Sequence, residues 1–384
     1  MSIPSDTKKR AVSLDLARGA MLLLIVLAHA PLYLYASEPG ILQRVESENL
    51  FDQVVNLFGM FFIDNRARGM FAVLLGYGFV LSFQSQTAKG KKEKEAVKII
   101  QRRSWYLIVF GIVLAVVIGG QDILMAYGLA GLLVSGLLTR EIKTLKWAFA
   151  FITLFYCLVV PVLWGFNLQE MGSYGFAPEV SAGDAYLQTM LLTLISFPLI
   201  PLLIHVMFPI LPSVLLGMWI ARHQLLTKPE NHLQTLYLLT FIGLAVSLLG
   251  ALPLSLIGTM WHPGFFTAGV VSGIHMLTGI AGGLAYTALF GIIGAKLKQP
   301  GRMSHWLIAL GKRSLTFYVW NEAMLVLLLS PVALDLGGQV SNGIAALIAI
   351  GVWVVSVALA NGLEKTKRNG PLEILLRRLV YSHK

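Results

Sequence analysis

The sequence predicts an all-α, polytopic membrane protein, and three observations support this fold class. Hydrophobic residues make up 56% of the 384 residues, whereas charged residues make up only 13%. The mean hydropathy of +0.73 is far above that of a soluble domain of this length. The apolar residues also fall into the long runs that membrane-spanning helices require. We therefore predict one integral-membrane domain over residues 1–384.

Ten apolar runs can cover most of a ~30 Å hydrocarbon core, the shortest of them with tilt or local thinning. They lie near residues 19–37, 67–85, 104–119, 122–138, 146–165, 205–221, 235–257, 268–294, 314–334 and 341–361. Two further apolar stretches do not fit as crossings. The stretch 50–63 is too short, and 186–204 contains Pro198 and Pro201. Both are predicted to be re-entrant or interfacial pieces on the external side.

The basic residues predict the orientation of the chain. With ten crossings and both termini in the cytoplasm, 27 of the 30 Lys and Arg residues lie on the cytoplasmic side, as the positive-inside rule requires. The three exceptions are Arg44, Arg66 and Arg68. The net charge of +11 thus comes from cytoplasmic segments, and no nucleic-acid partner is predicted. The most basic segment, 89–103, is interpreted as a solvated connector, with anionic lipid or a nucleotide phosphate as the alternative ligand.

The first span carries a pair of ionisable residues. Ser13 is predicted to be its N-cap, with Asp15 in the first turn. Arg18 and His29 are eleven residues apart, so they share one helix face and lie about 16 Å apart along the axis. Ionisable groups within a membrane usually mark a site or a pathway, and we expect both side chains to point into the bundle. The alternatives are that Arg18 only anchors the topology and His29 only bonds a neighbouring helix.

Two acidic residues and the two external arginines form a second group. Arg66 and Arg68 break the charge rule, so they need a partner: either an ion pair with Asp64, or an anion or carbonyl group that they bind from the external half of a cavity. Asp122 is predicted to cap the fourth span and also to pair with Arg66 or Arg68.

A third group lies about two turns into the ninth span. A carboxylate at the depth of Glu322 must pair or stay protonated. Glu322 is therefore predicted to orient His29 or to accept a proton, and Asn321 is a second candidate for the partner of His29. His275 is predicted to form an interhelical hydrogen bond.

Other patterns predict structure more than chemistry. Gly269-x-x-x-Gly273 and Gly279-x-x-x-Gly283 in the eighth span are typical of close helix packing. The single cysteine, Cys157, excludes a disulfide framework and a cysteine-based metal site. No phosphate-binding glycine-rich loop, zinc-peptidase motif or serine-hydrolase motif occurs, and no metal site is predicted.

Five segments resemble the bacterial domain-of-unknown-function-418 membrane proteins, and together they run nearly end to end. They are residues 13–19 (SLDLARG), 61–79 (FFIDNRARGMFAVLLGYGF), 121–127 (QDILMAY), 311–318 (GKRSLTFY, where the family usually reads GRMALTxY) and 370–381 (GPLEILLRRLVY). The last of these is the most specific.

That family in turn resembles a wider set of transmembrane acyltransferases. The set includes acyltransferase family 3, which O-acylates surface sugars, and the lysosomal heparan-α-glucosaminide N-acetyltransferase. Arg18 and His29 match the Arg-x10-His spacing in the first span of acyltransferase family 3, where both residues are implicated in acyl transfer. The nearer relatives more often carry Asn in place of His29 and a small polar residue in place of Glu322, so the chain departs from them at both positions.

The resemblance implies a membrane-bound O- or N-acyltransferase of the bacterial cytoplasmic membrane. It would move an acetyl group from cytoplasmic acetyl-CoA, or another acyl-CoA, to an extracytoplasmic sugar, envelope glycan or small metabolite. Arg18 would bind the CoA phosphates, and His29 would act as general base or transient acyl carrier. Arg66 or Arg68 would stabilise developing negative charge from the outer side.

The alternative function is a proton-coupled transporter or exporter of a small organic anion. It would use the same buried Arg, His and Glu side chains, although no inverted repeat is evident. Membrane lipids are expected partners under either hypothesis, and a homodimer is left open.

Overall fold

The structure, a computed structural model, describes residues 6–176, 180–297, 299 and 301–381, with side chains described from Val12 onwards. Within these residues the regular structure is helical, with isolated β-bridges but no β-strand. The α-helices are α1 (Asp6–His29), α2 (Leu50–Phe62), α3 (Arg66–Thr87), α4 (Glu93–Ile112), α5 (Leu124–Val134), α6 (Ile142–Met171), α7 (Tyr186–Ser196), α8 (Ile200–Met207), α9 (Ile210–Arg222), α10 (Leu233–Leu256), α11 (Phe265–Lys296), α12 (Arg302–Gly311), α13 (Ser314–Leu329), α14 (Asn342–Lys365) and α15 (Pro371–Tyr381). The predicted all-α membrane fold is confirmed.

Seven helical segments are long and apolar enough to cross a membrane, or eight if α7 and α8 form one span. Three shorter apolar helices, α5, α9 and α13, coincide with the remaining predicted spans. At 1.5 Å per residue, the 13 residues of α9 cover only about 20 Å, so α9 needs a thinned bilayer or an extension to cross. Ten crossings and two cytoplasmic termini stay predictions.

The two stretches that were not expected to cross form broken helices. The pair α7 and α8 is bent by 70° at residues 197–199, as a broken span or a re-entrant loop would be. Helices α2 and α3 form one apolar segment of 38 residues, interrupted at residues 63–65, where Asn65 has a left-handed φ of 63°. At about 57 Å this segment is longer than a hydrocarbon core, so α2 is not needed for the crossing.

Two predicted helix boundaries are wrong. Helix α1 begins at Asp6, so Ser13 is not an N-cap but a buried interior residue, because residues 6–12 contain no Gly or Pro that would end a helix. The predicted span 205–221 is divided between α8 and α9. Pro209 lacks an N–H donor and forces Phe208 into an extended conformation, with φ −126° and ψ 134°.

Close packing through the glycines of α11 is confirmed. A Cβ on Gly269 would lie 2.0 Å from the carbonyl oxygen of Trp164 in α6. A Cβ on Gly283 would lie 2.3 Å from the carbonyl carbon of Gly69 in α3. One glycine pair of α11 thus packs on α6 and the other on α3. This close packing sets the position of α3, which carries the arginines described below, relative to α11.

Candidate functional site

The side chains of His29 and Glu322 are hydrogen-bonded in the interior of the bundle. The Nδ1 atom of His29, at the last residue of α1, lies 2.7 Å from Oε1 of Glu322 on α13. The Glu322 side chain is fully buried and that of His29 is 12% exposed. Because an unpaired carboxylate would be costly at this depth, the contact favours a His29 tautomer with its proton on Nδ1. The Nε2 atom then carries the lone pair, and it accepts no hydrogen bond from the residues that the structure describes.

Two tyrosines hold the turn between α4 and α5 against this pair. The Tyr33 hydroxyl donates to Oε2 of Glu322 (3.4 Å) and accepts from the backbone N–H of Gln121 (3.0 Å). The Tyr318 hydroxyl donates to the Gln121 carbonyl (3.1 Å) and accepts from the Ile123 N–H (3.2 Å). The backbone polar groups of this irregular segment are thus satisfied inside the protein, as membrane depth requires.

Asp122 has the predicted capping role. Its carboxylate accepts hydrogen bonds from the backbone N–H groups of Leu124 (2.9 Å) and Met125 (2.8 Å) in the first turn of α5. The predicted pairing of Asp122 with Arg66 or Arg68 is wrong, since both carboxylate oxygens face the α5 amides.

Arg66 is fully buried and faces away from the cavities described below. Its guanidinium donates to the Ser247 hydroxyl (2.8 Å) and carbonyl (2.7 Å) on α10, and to the Asp64 carbonyl (2.8 Å). It also contacts Nε2 of His275, and His275 bonds the Met60 carbonyl across the helix interface. Arg66 therefore joins α3 to α10 and α11, which favours a structural role over binding a substrate.

Asp64 pairs with Arg44 instead of Arg66 or Arg68. The Arg44 guanidinium donates to both carboxylate oxygens of Asp64, at 3.0 Å and 2.9 Å. Arg44 reaches Asp64 by crossing Gly59, where a Cβ would lie 1.9 Å from a guanidinium nitrogen. The predicted ion pair of Asp64 with its neighbouring arginines is wrong because this loop arginine occupies the carboxylate.

Arg68 consequently keeps a positive charge without a carboxylate partner among the described residues. It donates one hydrogen bond to the Asn65 side-chain oxygen (3.0 Å) and stacks on Phe208, with 3.8 Å from its Cζ to the ring centre. Its other N–H donors are available to an anion or a polarised carbonyl.

An outer cavity connects Arg68 with His29. It has a volume of about 50 Å³ and is lined by His29, Asp64, Asn65, Arg68 and Ile123, together with apolar residues of α1 and Phe208. It continues into a wider space of about 400 Å³ through the shared lining residues Pro31, Leu32, Gln43, Arg44, Phe176 and Phe208. The imidazole is thereby accessible from the predicted external side.

An inner cavity of about 250 Å³ approaches the same pair from the opposite end of the bundle. It lies where α1, α3, α4, α13 and α15 meet, and its polar lining comprises Arg18, Arg103, Lys312, Ser314 and Glu373. Its apolar lining includes Met21, Phe71, Leu74 and Leu124, and it ends at Tyr127 and Tyr318. Arg18 points into this cavity and is paired with Asp15 on the same helix at 3.3 Å.

Only a thin layer of protein separates the two cavities. Ile123 lines the outer cavity, and the next residue, Leu124, lines the inner one. The Tyr318 ring, which closes the inner cavity, lies 6.5 Å from the His29 ring in an edge-on arrangement. Tyr318 and one peptide of the α4–α5 turn therefore form the barrier between them.

Comparison with known proteins identifies the C-terminal part of the chain. Residues 220–383 match the family described as "Protein of unknown function (DUF418)". The chain is also 24% identical, over 419 aligned residues, to "Uncharacterized protein YxaH" of Bacillus subtilis (strain 168), with 98% of this chain and 96% of that protein covered. The predicted resemblance to the DUF418 proteins is thus confirmed over residues 220–383, whereas the relation to acyltransferases stays a prediction.

The DUF418 segment contributes one half of the candidate site. It supplies Glu322, Lys312 and Glu373, whereas His29 and Arg18 come from the N-terminal half of the chain. The characteristic tail also has a structural explanation. The Glu373 carboxylate of α15 accepts hydrogen bonds from the N–H groups of Leu315 (2.8 Å) and Thr316 (3.2 Å), so it caps α13 and sets the position of the helix that carries Glu322.

Sequence reasoning placed one residue of this segment wrongly and missed others. Asn321 does not contact His29. Its side-chain oxygen accepts from the Ser356 hydroxyl of α14 (2.6 Å) because adjacent helical residues point about 100° apart. Arg44 and Arg103 were missed: the first is the third external arginine, and the second ends the basic segment 89–103. Glu179, in the outer loop, lies outside the described residues.

Proposed function

We propose that the chain is a membrane-bound acyltransferase. The donor, a cytoplasmic acyl-CoA, would bind in the inner cavity, and an acceptor with a hydroxyl or amino group would bind in the outer cavity. The observation that carries the proposal is that the two cavities approach one imidazole, His29, from opposite ends of the bundle. A transporter needs an alternating route for one substrate, whereas a transferase needs two separate substrates that meet at a reactive group.

The distances favour a long donor that is charged at one end. Arg18 and His29 lie about 16 Å apart along α1, and the pantetheine arm of CoA can extend over such a distance. The phosphates would remain near Arg18 at the predicted cytoplasmic end, and the thioester would extend past Phe71 towards Tyr318. A shift of the side-chain barrier would then bring the thioester carbonyl to His29.

In the transfer step, His29 would act as general base. The acceptor oxygen or nitrogen attacks the thioester carbonyl carbon, and Nε2 of His29 takes the acceptor's proton. The new C–O or C–N bond forms, the C–S bond breaks, and the CoA thiolate leaves and recovers the proton from the imidazolium. Glu322, at Nδ1, stabilises the imidazolium and fixes the ring orientation, as the carboxylate does in acid–base triads.

Arg68 is the candidate for stabilising the oxyanion, because it lines the outer cavity and, unlike Arg44, is not paired with Asp64. Hydrogen-bond donors preorganised in a water-poor site are worth several kcal/mol at an oxyanion. Arg66, which was an equal candidate from the sequence, has its donors occupied by α10 and α11 groups.

The test is incubation of the purified protein with acetyl-CoA labelled in the acetyl group. The wild-type protein should release label or pass it to an envelope-extract acceptor, and His29→Ala should lower this rate by at least about 10²-fold while CoA still binds. Label retained on wild-type protein but not on His29→Ala would instead identify His29 as an acyl carrier. No turnover, combined with proton-coupled uptake of an organic anion into liposomes, would replace the proposal by the transporter.

A further inference from the structure

We propose that Arg103 is the principal phosphate-binding residue of the inner cavity, where it acts with Arg18 and Lys312 on a phosphorylated ligand. The proposal rests on the acyltransferase proposal for the identity of that ligand as a CoA thioester. The phosphate site itself can be tested without any acyl transfer.

The first observation is that Arg103 has no partner. It lines the inner cavity, and no hydrogen bond or ion pair of its side chain occurs among the described residues. The residue is partly exposed, but its Nε–H is shielded from solvent and donates no hydrogen bond to the residues that the structure describes. A shielded guanidinium N–H without an acceptor is costly, and such groups in native proteins call for an absent ion or ligand.

The second observation is that the neighbouring positive charges make an anionic partner for Arg103 more favourable. The charges of Arg18 and Arg103 repel each other across the cavity. Arg18 is paired with Asp15 at 3.3 Å and Lys312 with Glu364 at 2.7 Å, so these two cations are partly compensated by the protein. Arg103 forms no ion pair or hydrogen bond with the residues that the structure describes, although the charge of Glu373 partly offsets its own.

The one carboxylate that lines the cavity offsets the charge of Arg103 only in part, because it forms no ion pair with it. Both oxygens of Glu373 are occupied in capping α13, the second by the Thr316 hydroxyl at 2.5 Å. The cavity therefore contains three cations and one carboxylate that is already hydrogen-bonded. A multiply charged anion fits this arrangement, because phosphate oxygens accept the parallel donors of a guanidinium group.

The remaining lining indicates the rest of the ligand. Beyond the three cations the cavity is apolar, with Met21, Leu74 and Leu124 along its walls. A ligand with phosphates at one end and an uncharged chain at the other matches this change in polarity. CoA has this form, and so does an anionic phospholipid, so the chemistry shared by both sources is a phosphate attached to an uncharged chain.

The experiment measures binding of free CoA to the full-length protein in phosphatidylcholine nanodiscs, where no acyl group can be transferred. Arg103→Gln should weaken CoA binding by at least about tenfold, since charge-assisted hydrogen bonds are about twice as strong as those between neutral groups. Pantetheine, which lacks phosphate, should bind weakly and equally to both proteins. Lys98→Gln is the matched control, because it removes the same charge from an exposed position five residues earlier on α4.

Arg103→Lys serves as the second variant. It keeps the charge without the planar fork, so it should show intermediate affinity and elute as wild type in size-exclusion chromatography. Equal CoA binding by wild-type protein, Arg103→Gln and Lys98→Gln would overturn the proposal.

A separate arm distinguishes the source of the phosphate. In nanodiscs that contain phosphatidylglycerol, a lipid site would show displacement of CoA or no CoA binding, with lipid retention lost in Arg103→Gln. That result would support the phosphate site and overturn CoA as its ligand. Phosphate-dependent CoA binding without turnover would likewise support the site while the acyltransferase proposal fails.

Discussion

Glu322 is the residue whose position is easiest to justify from physical chemistry. A carboxylate without solvent exposure must be paired or neutral, and His29 is its hydrogen-bond partner at 2.7 Å. The two residues are 293 positions apart in the chain, yet the pairing could be anticipated because few groups of either kind occur in apolar spans. The turn between α4 and α5 packs closely against this pair because residue 120 is a glycine. A Cβ on Gly120 would lie 3.3 Å from the Cβ of Glu322.

Glu322→Gln should lower acyl transfer by about 10²-fold or more while CoA binding changes little. The amide oxygen can still accept a hydrogen bond from His29, but it cannot stabilise the imidazolium that forms in the transition state. Comparison of kcat with KM for acyl-CoA checks this. Asn321→Ala is the control, because its side chain bonds Ser356 instead of His29. An equal loss in both variants would indicate damage to α13 and not loss of a catalytic charge.

The arginines 66 and 68 show where sequence reasoning stops at this scale. Residues two apart on a helix point about 200° apart, so the pattern indicates that the two side chains diverge. It does not indicate which of them faces α10 and α11 and which faces the cavity, because that depends on how α3 is rotated in the bundle. Arg103 is harder still, since its significance lies in the absence of a partner, which only the assembled side chains reveal.

At the scale of the elements, hydropathy placed most helices well and failed where backbone chemistry intervened. The break between α8 and α9 follows from Pro209, yet the apolar run continues through it and hides the boundary. The start of α1 was placed too late because residues 6–12 are polar, and hydropathy does not register a helix that extends beyond the apolar run. For a short span such as α13, the apolar composition predicts that a helix is present but does not predict where the helix ends.

The packing of α11 on α3 should depend on Gly283. Gly283→Leu would place a Cβ 2.3 Å from backbone atoms of α3, which cannot move as a side chain can. Overpacking of this kind typically costs 1–3 kcal/mol, so we expect a lower melting temperature and a reduced yield of monodisperse protein. Gly351→Leu is the control, since a Cβ there meets nothing within 4 Å. If both variants behaved alike in thermal unfolding, the close approach of α3 and α11 would be refuted.

At the scale of the whole molecule, the basic residues and the two cavities are both distributed along the axis of the bundle. The predicted cytoplasmic end carries most of the basic residues and the inner cavity, with Arg18, Arg103 and Lys312 in its lining. The outer cavity contains Arg44 and Arg68, two of the three basic residues predicted to lie outside. The exceptions to the charge rule thus line a cavity, pair a carboxylate or hold helices together.

The two cavities should be accessible from opposite sides of the membrane. In a Cys157→Ser background, Gln43→Cys in the outer cavity should react with a membrane-impermeant maleimide added to intact cells. Leu75→Cys in the inner cavity should react only in inverted vesicles, because the layer of Tyr318 and the Ile123–Leu124 peptide separates the cavities. Added desulfo-CoA, which lacks the thiol that would consume the maleimide, should protect the cysteine at position 75 and not the one at position 43, since the donor fills only the inner cavity. Labelling of both positions from one side would contradict the predicted orientation. CoA protection at position 43 alone would place the donor on the wrong side of His29 for the proposed reaction.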